Sequence, residues 1–137
     1  MAETSKSILL CDDDLTLREM YGERLKAEGF TVDLAKDGEE GLQKATSDHP
    51  NVILLDVMMP KMNGLDVLKK LKEQPETKDI PVIILTALIQ DREKMESITR
   101  GADDYIVKSE AMPGDVIAKI HKVLEKGAAP AEPTPAA

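Results

Sequence analysis

Apolar residues along this chain fall into two patterns that alternate from one end to the other. The first is a short unbroken apolar run bounded by polar or turn residues, which is typical of a β-strand covered on both faces. These runs, together with an alternating segment at 30–35, predict five strands, at residues 7–11, 30–35, 51–56, 81–87 and 104–108. The run at 51–56 is the most hydrophobic, so we expect it at the centre of a sheet.

The second pattern is the recurrence of apolar residues every three or four positions, which predicts an amphipathic helix after each strand. Leu65, Leu68 and Leu71 mark the third of these helices, and Gly29 is suited to end the first. The five helices are expected at residues 17–28, 39–46, 65–71, 91–100 and 113–124.

Strands that alternate with helices predict an α/β fold, with a doubly wound five-stranded parallel sheet and helices on both faces. Ligands of such sheets bind outside the carboxyl ends of the strands. We expect an N-terminal extension over residues 1–6, one domain over 7–126, and an Ala/Pro-rich tail or linker over 127–137.

Composition narrows the function classes. The length of 137 residues suits one domain, and the absence of Trp, with one Phe and two Tyr, predicts an aliphatic core without aromatic stacking on bases. A net charge of -8 disfavours direct contact with nucleic acid or an anionic membrane. The chain has one cysteine, no apolar signal core and no bilayer-length apolar run, so we expect a cytoplasmic protein.

Residues suited to phosphoryl chemistry stand at the carboxyl ends of the predicted strands. They are Asp12, Asp13 and Asp14 after the first strand, Asp56 after the third, Thr86 after the fourth and Lys108 after the fifth. Carboxylates gathered at one edge repel one another unless a hard cation such as Mg²⁺ neutralises them. The set predicts that Asp56 is a phosphoryl acceptor, with Lys108 as a point charge and Thr86 as a hydroxyl donor.

The sequence resembles the receiver domain of two-component response regulators over roughly residues 6–125. The resemblance rests on four blocks in the expected order: Ile-Leu-Leu-Cys-Asp-Asp-Asp at 8–14, Val-Ile-Leu-Leu-Asp-Val-Met-Met-Pro at 52–60 with Asn63-Gly64, Leu-Thr-Ala at 85–87, and Asp-Tyr-Ile-Val-Lys at 104–108. It implies a flavodoxin-like (βα)5 fold and a phosphoryl group received from a sensor histidine kinase or histidine phosphotransfer protein. It also implies a signalling domain with at most self-catalysed phosphotransfer and dephosphorylation, rather than an enzyme.

The resemblance also implies the ligands of a Mg²⁺ site. Asp13 and Asp56 would bind the ion directly together with the backbone carbonyl of Met58, and Asp12 would act through a metal-bound water. Asp14 would then lie outside the ligand set.

A switch is implied by the same resemblance. Phosphorylation would draw Thr86 toward the phosphoryl group and turn Tyr105 inward, which changes the face formed by the fourth helix, fifth strand and fifth helix. No effector domain follows residue 126 of this sequence, so we expect output through a partner protein or through a domain absent from this chain.

One position departs from the family pattern. Ser109 follows Lys108 where the family usually has Pro, often after a cis peptide bond. A cis bond before a residue other than proline costs about 2.5–4 kcal/mol, so the Lys108-Ser109 bond is expected to be trans or the loop to be strained.

Plainer roles exist for each of these residues. Aspartates at 12–14 also suit a helix N-cap, and Asp56 alone could be a turn residue. Thr86 could cap a helix, Lys108 could be surface charge, and Tyr105 could be an ordinary edge-strand aromatic residue.

Two other functions remain as alternatives. A phosphohydrolase of the haloacid dehalogenase kind also uses an aspartyl nucleophile, but it needs a second Asp two residues later, where this chain has Met58. A flavin-binding redox module would need a phosphate-cradling loop after the first strand, where three aspartates would repel a phosphate.

The residues two positions beyond Asp56 and Thr86 predict the lifetime of the phosphorylated state. In the family these positions influence attack by water, and here they are Met58 and Leu88, whose side chains cannot orient a water by hydrogen bonding. We expect slow self-dephosphorylation, which the decay of a radiolabelled chain would measure. An unchanged decay rate in the double variant Met58→Asn, Leu88→Glu would refute this.

Overall fold

A computed structural model describes residues 6–57, 59, 61–86, 102–107 and 113–128, leaving out the side chains of Thr86, Pro113 and residues 125–128. The strands within these residues are β1 Ser7–Cys11, β2 Thr31–Ala35, β3 Val52–Asp56, β4 Val82–Thr86 and β5 Asp104–Val107. The helices are α1 Leu15–Ala27, α2 Gly38–Asp48, α3 Gly64–Glu73 and a C-terminal helix Pro113–Ala128.

The five strands form one parallel sheet in the order β2-β1-β3-β4-β5. This is the strand order of doubly wound, flavodoxin-like sheets, in which the chain first winds to one edge and then reverses toward the other. The prediction that residues 51–56 form the central strand is confirmed, because β3 lies between β1 and β4 and all five of its residues are buried.

Two aliphatic cores cover the two faces of the sheet, as the alternation of strands and helices predicted. Ile8 and Leu10 of β1 point to the face covered by α1 and the C-terminal helix, which contribute Leu25 and Ile120 to the same buried cluster. The opposite face is covered by α2 and α3, and its buried cluster comprises Leu9, Cys11, Ala35, Ala45, Ile53, Leu55, Val57, Met59, Val67, Leu68, Leu71, Ile80, Val82 and Ile84. Among the described helices, none is both long and apolar enough to cross a membrane.

The ends of several elements differ from the predicted ones for local reasons. Helix α2 begins at Gly38 because Asp37 caps it, accepting a hydrogen bond from the Glu40 amide at 2.8 Å. The C-terminal helix continues to Ala128, beyond the predicted end at 124 and into the segment predicted as a tail. The predicted helix at 91–100 and the last predicted residues of the fourth and fifth strands, 87 and 108, lie outside the described residues.

Gly29 ends α1 as predicted. Its φ angle is 100°, a conformation that residues with an L side chain rarely adopt, and its amide donates to the Lys26 carbonyl at 3.0 Å. The next amide, of Phe30, donates to the Leu25 carbonyl at 3.2 Å. This pair of bonds is a Schellman motif, and it returns the chain to the core at the buried Phe30, directly before β2.

Cys11 closes β1 in a densely packed position. Its side chain is buried, and a Cβ added at Gly41 of α2 would lie 2.7 Å from its Sγ atom. Burial raises the pKa of the Cys11 thiol far above its ordinary value, with the nearby charge of Glu40 adding to the effect. The thiol is therefore protonated and inaccessible in the folded chain.

We expect Cys11 to resist thiol reagents in the native protein. Only the thiolate reacts, so labelling requires an opening of the fold that exposes β1 and lowers the thiol pKa. A colorimetric disulfide reagent should detect one thiol per chain in denaturant, since the chain has a single cysteine, and almost none in buffer over the same time. Complete labelling of the native protein within minutes would contradict the buried placement.

Candidate functional site

The register of the sheet brings the first and third strand ends together. Cys11, the last residue of β1, pairs with Leu55 of β3, so Asp12 and Asp56 follow side by side. Both are buried, with exposed fractions of 0% for Asp12 and 3% for Asp56. Two carboxyl groups at the carboxyl edge of the sheet are therefore shielded from most of the solvent.

Asp13 completes a cluster of three carboxyl groups, which we name the acidic cluster: Asp12, Asp13 and Asp56. One carboxylate oxygen from each residue lies within 4.8 Å of the others, and Asp13 is the exposed member. Two unit charges about 4 Å apart repel by roughly 4 kcal/mol at an effective dielectric constant of about 20. Ionised carboxylates this close favour a bound cation.

The donor set of the acidic cluster fits Mg²⁺. All the candidate ligand atoms are hard carboxylate oxygens, and the exposed side at Asp13 gives a hydrated ion access. Mg²⁺ is commonly held by one or two carboxylates, with waters and phosphate oxygens completing its coordination.

Asp14, the third consecutive aspartate, is the N-cap of α1. Its side chain accepts a hydrogen bond from the Leu17 amide at 3.2 Å and so caps α1. Its own amide donates to Asp12 Oδ1 at 3.0 Å. The plainer interpretation of residues 12–14 as a helix cap thus applies to Asp14, while Asp12 and Asp13 belong to the acidic cluster.

Arg18 contacts the acidic cluster and was not foreseen from the sequence. Its Nη1 donates to the backbone carbonyl of Asp12 at 2.7 Å, in a partly buried position. The available signal was its place in the first turns of a helix that begins near Asp14, because helical side chains lean toward the N-terminus of their helix.

Two glycines, each the first residue of a helix, allow close backbone contacts next to Asp56 and at Met62. The amide of Gly64, the first residue of α3, donates to the Val57 carbonyl at 2.9 Å, and a Cβ at Gly64 would clash with the Asp56 carbonyl. A Cβ at Gly38, the first residue of α2, would clash with the Met62 carbonyl. These backbones approach so closely that only glycine fits.

An ion pair adds to this attachment. Lys61 Nζ lies 3.8 Å from the carboxylate of Asp37, the buried cap of α2. Lys61 has a φ angle of 67°, which is uncommon for a residue other than glycine. Met62 is therefore held against the start of α2 by close packing at Gly38, to which the exposed Lys61 adds a weak ion pair.

The remaining predicted site residues are described in part. Tyr105 is half-buried on the edge strand β5 and packs against the core on the α2 and α3 side, while its amide donates to the Asp104 carboxylate at 2.8 Å. Thr86 ends β4 and pairs with Val107. The Thr86 side chain, Met58, Lys108 and Ser109 lie outside the described residues.

The fold and the acidic cluster together define a doubly wound α/β protein with three carboxyl groups at the ends of its first and third strands. Residues 8–121 match the response regulator receiver domain, so the chain belongs to that family. The resemblance seen in the sequence is confirmed.

Relatives with similar sequences agree with this assignment. The chain is 39% identical over 126 residues to the probable transcriptional regulator ycf27 of Cyanophora paradoxa, which covers 92% of the chain and 51% of that protein. It is 38% identical over 122 residues to the response regulator MprA of Mycobacterium ulcerans, covering 89% of the chain and 51% of that protein. The chain therefore spans about half the length of these relatives.

Solved structures agree on the fold. A CheY-like receiver domain protein from Methanospirillum hungatei matches with a TM-score of 0.81 at 30% identity, covering 91% of this chain and 98% of that one. The chemotaxis response regulator CheY4 of Vibrio cholerae matches with a TM-score of 0.79 at 32% identity, covering 88% and 99%. Both proteins are similar in sequence as well as in fold.

The family assignment decides between the functions left open by the sequence. The chain is a receiver domain of two-component response regulators, and such domains are signalling domains rather than dedicated enzymes. Neither the haloacid dehalogenase alternative nor the flavin-binding alternative finds support among these matches.

The close approach at Gly64 predicts a stability difference between two glycine variants. Gly64→Ala forces a Cβ against the Asp56 carbonyl, and we expect the free energy of unfolding to fall by about 1–3 kcal/mol, the usual cost of overpacking. Gly22→Ala is the matched control, because its Cβ would make an ordinary contact with Leu34 Cδ2 at 3.5 Å inside α1. Urea unfolding of both variants measures the difference, and equal stabilities would contradict the tight packing at Gly64.

Proposed function

We propose that Asp56 accepts a phosphoryl group from a phosphohistidine, with Mg²⁺ as the cofactor. The observation that carries this proposal is the meeting of the Asp12, Asp13 and Asp56 oxygens within 4.8 Å at the carboxyl edge of the sheet. A phosphoacceptor needs a nucleophile and compensating positive charge in the same place. Asp56 offers the nucleophile, and the other two carboxylates offer a site for the cation.

The cluster residues are the proposed metal ligands. Asp13 and Asp56 would hold Mg²⁺ directly with the Met58 backbone carbonyl, and Asp12 would hold it through a water. When bound, the ion supplies positive charge that offsets the repulsion between a carboxylate and an approaching phosphoryl group.

In the proposed transfer an Asp56 carboxylate oxygen attacks the phosphorus of the donor phosphohistidine. The new O–P bond forms as the P–N bond breaks, and the departing imidazole nitrogen keeps the electron pair and takes up a proton. Lys108 would place its ammonium group on one phosphoryl oxygen, and Thr86 would donate its hydroxyl to another. The product is an acyl phosphate, whose lability suits a signal that must be erased.

The proposed switch couples Asp56 to the fifth strand. Thr86 would move toward the phosphoryl group, and Tyr105 would turn further inward, altering the face of the fourth predicted helix, β5 and the C-terminal helix. Support comes from the half-buried state of Tyr105 on an edge strand, since a side chain there can change position without opening the central core.

The proposed partners follow from the family and the charge of the chain. A sensor histidine kinase or a histidine phosphotransfer protein would supply the phosphoryl group in the cytoplasm. Output would pass to a downstream protein or to a further domain, because the matched relatives are about twice as long and one is named a transcriptional regulator. With a net charge of -8, the receiver over 7–126, flanked by an extension at 1–6 and a linker at 127–137, is not expected to bind nucleic acid or membranes itself.

Asp56→Asn tests the phosphoacceptor. We expect radiolabelled acetyl phosphate to label the wild-type chain in the presence of Mg²⁺, and we expect both chelation and Asp56→Asn to remove the label, because an amide is not a nucleophile for phosphorus.

Asp14→Asn is the matched control for this experiment. It removes the same charge from a neighbouring exposed residue, and asparagine still caps α1, so labelling should persist. Equal labelling of the wild type and Asp56→Asn would show that Asp56 is not the phosphoacceptor.

A further inference from the structure

The Arg18 side chain makes a hydrogen bond to the backbone of the acidic cluster. Its Nη1 donates to the Asp12 carbonyl at 2.7 Å, and Arg18 itself is half-buried. A hydrogen bond from a guanidinium group is charge-assisted and is stronger than one between neutral groups. We therefore expect this hydrogen bond to restrain the Asp12 backbone more strongly than a bond between neutral, exposed groups would.

Helix α1 aims the Arg18 side chain at the end of β1. The Arg18 amide donates to the Asp14 carbonyl at 2.9 Å, so Arg18 lies one turn into the helix that Asp14 caps. Side chains on a helix lean back toward its N-terminus. The long arginine can thus span the first turn and reach the strand end.

The contact fixes a peptide plane that matters for Asp13. The Asp12 carbonyl belongs to the planar peptide unit that joins Asp12 to Asp13, so a bond to that oxygen sets the direction in which Asp13 leaves the strand. Asp12 has further restraints: burial, a bond from its amide to the Ala35 carbonyl at 3.1 Å, and the Asp14 amide on its Oδ1. Asp13 is exposed, so packing does little to hold it.

We propose that Arg18 is a positioning residue for the Mg²⁺ site: its bond to the Asp12 carbonyl orients the Asp12–Asp13 peptide unit and thereby places the exposed Asp13 carboxylate in the acidic cluster. The proposal rests on the proposed metal-binding function of that cluster. It assigns Arg18 no contact with the ion or with the phosphoryl group.

An electrostatic role and a positioning role of Arg18 predict opposite changes in Mg²⁺ affinity when the side chain is removed. As a cation beside a cation site, arginine opposes Mg²⁺, so a purely electrostatic role means that its loss tightens binding. A positioning role means that its loss weakens binding, because the ligands are less well preorganised. The sign of the change therefore identifies the role.

The test is isothermal titration of Mg²⁺ into the full chain and its variants. We expect Arg18→Met to raise the dissociation constant by about tenfold, the lower end of the range for residues that support metal ligands. Arg18→Lys keeps the charge and one flexible donor without the planar fork, so its dissociation constant should lie between those of the wild type and Arg18→Met. Thermal unfolding of each variant identifies a temperature at which it is folded, and the titrations are run there. If Arg18→Met does not fold at any temperature, Arg18→Lys decides the question alone.

Arg24→Met is the matched control. It removes the same charge from the same helix at an exposed position, about 9 Å further along the axis at ~1.5 Å per residue. That extra distance exceeds the screening length of about 8 Å at physiological salt, so we expect less than about a twofold change.

The possible failures are distinguishable. A wild-type chain that binds no Mg²⁺ overturns the metal-dependent function, and the Arg18 proposal with it. A wild-type chain that binds Mg²⁺, with Arg18→Met and Arg18→Lys binding equally well or more tightly, overturns the Arg18 proposal alone.

Discussion

Repulsion among Asp12, Asp13 and Asp56 is the constraint that the rest of the structure must balance. Their oxygens are gathered within 4.8 Å, and two of the three residues are buried, so water screens them poorly. Hydrophobic burial offsets this repulsion. The side chains of β1 and β3 pack into aliphatic cores on both faces of the sheet and contribute to that burial. If the cluster is the proposed Mg²⁺ site, this repulsion is a cost in stability that is retained for function.

The structure holds the acidic cluster mainly through its backbone. Sheet register sets Asp12 beside Asp56, Arg18 binds the Asp12 carbonyl, and Gly64 packs against the Asp56 carbonyl. These three contacts are made with the backbone of the cluster residues.

The fold and the core of the site could be predicted because both follow from local patterns. Alternating periodicity gave the strand and helix sequence, and parallel strands place their carboxyl ends at one edge, so Asp12, Asp13 and Asp56 were expected to meet. The contact of Lys61 could not be predicted, since it joins two loops distant in sequence. The contact of Arg18 was missed because it also depends on the direction of a helix axis, although its place in the first turns of α1 was a signal. The last helix was predicted to end at 124, where its apolar periodicity stops, whereas it continues to Ala128 through Gly127, and a glycine costs only about 1 kcal/mol within a helix.

The two sides of Asp56 differ in how easily they can move. On the α2 side, the backbones of Met62 and Gly64 are held by close packing against Gly38 and Asp56, and the exposed Lys61 adds a weak ion pair. Packed backbones of this kind do not deform continuously. In the proposed switch, a phosphoryl group on Asp56 would displace the other side, toward β4 and β5, where Tyr105 is half-buried on an edge strand. The rigid glycine contacts thus give a physical reason for a signal to travel toward β5.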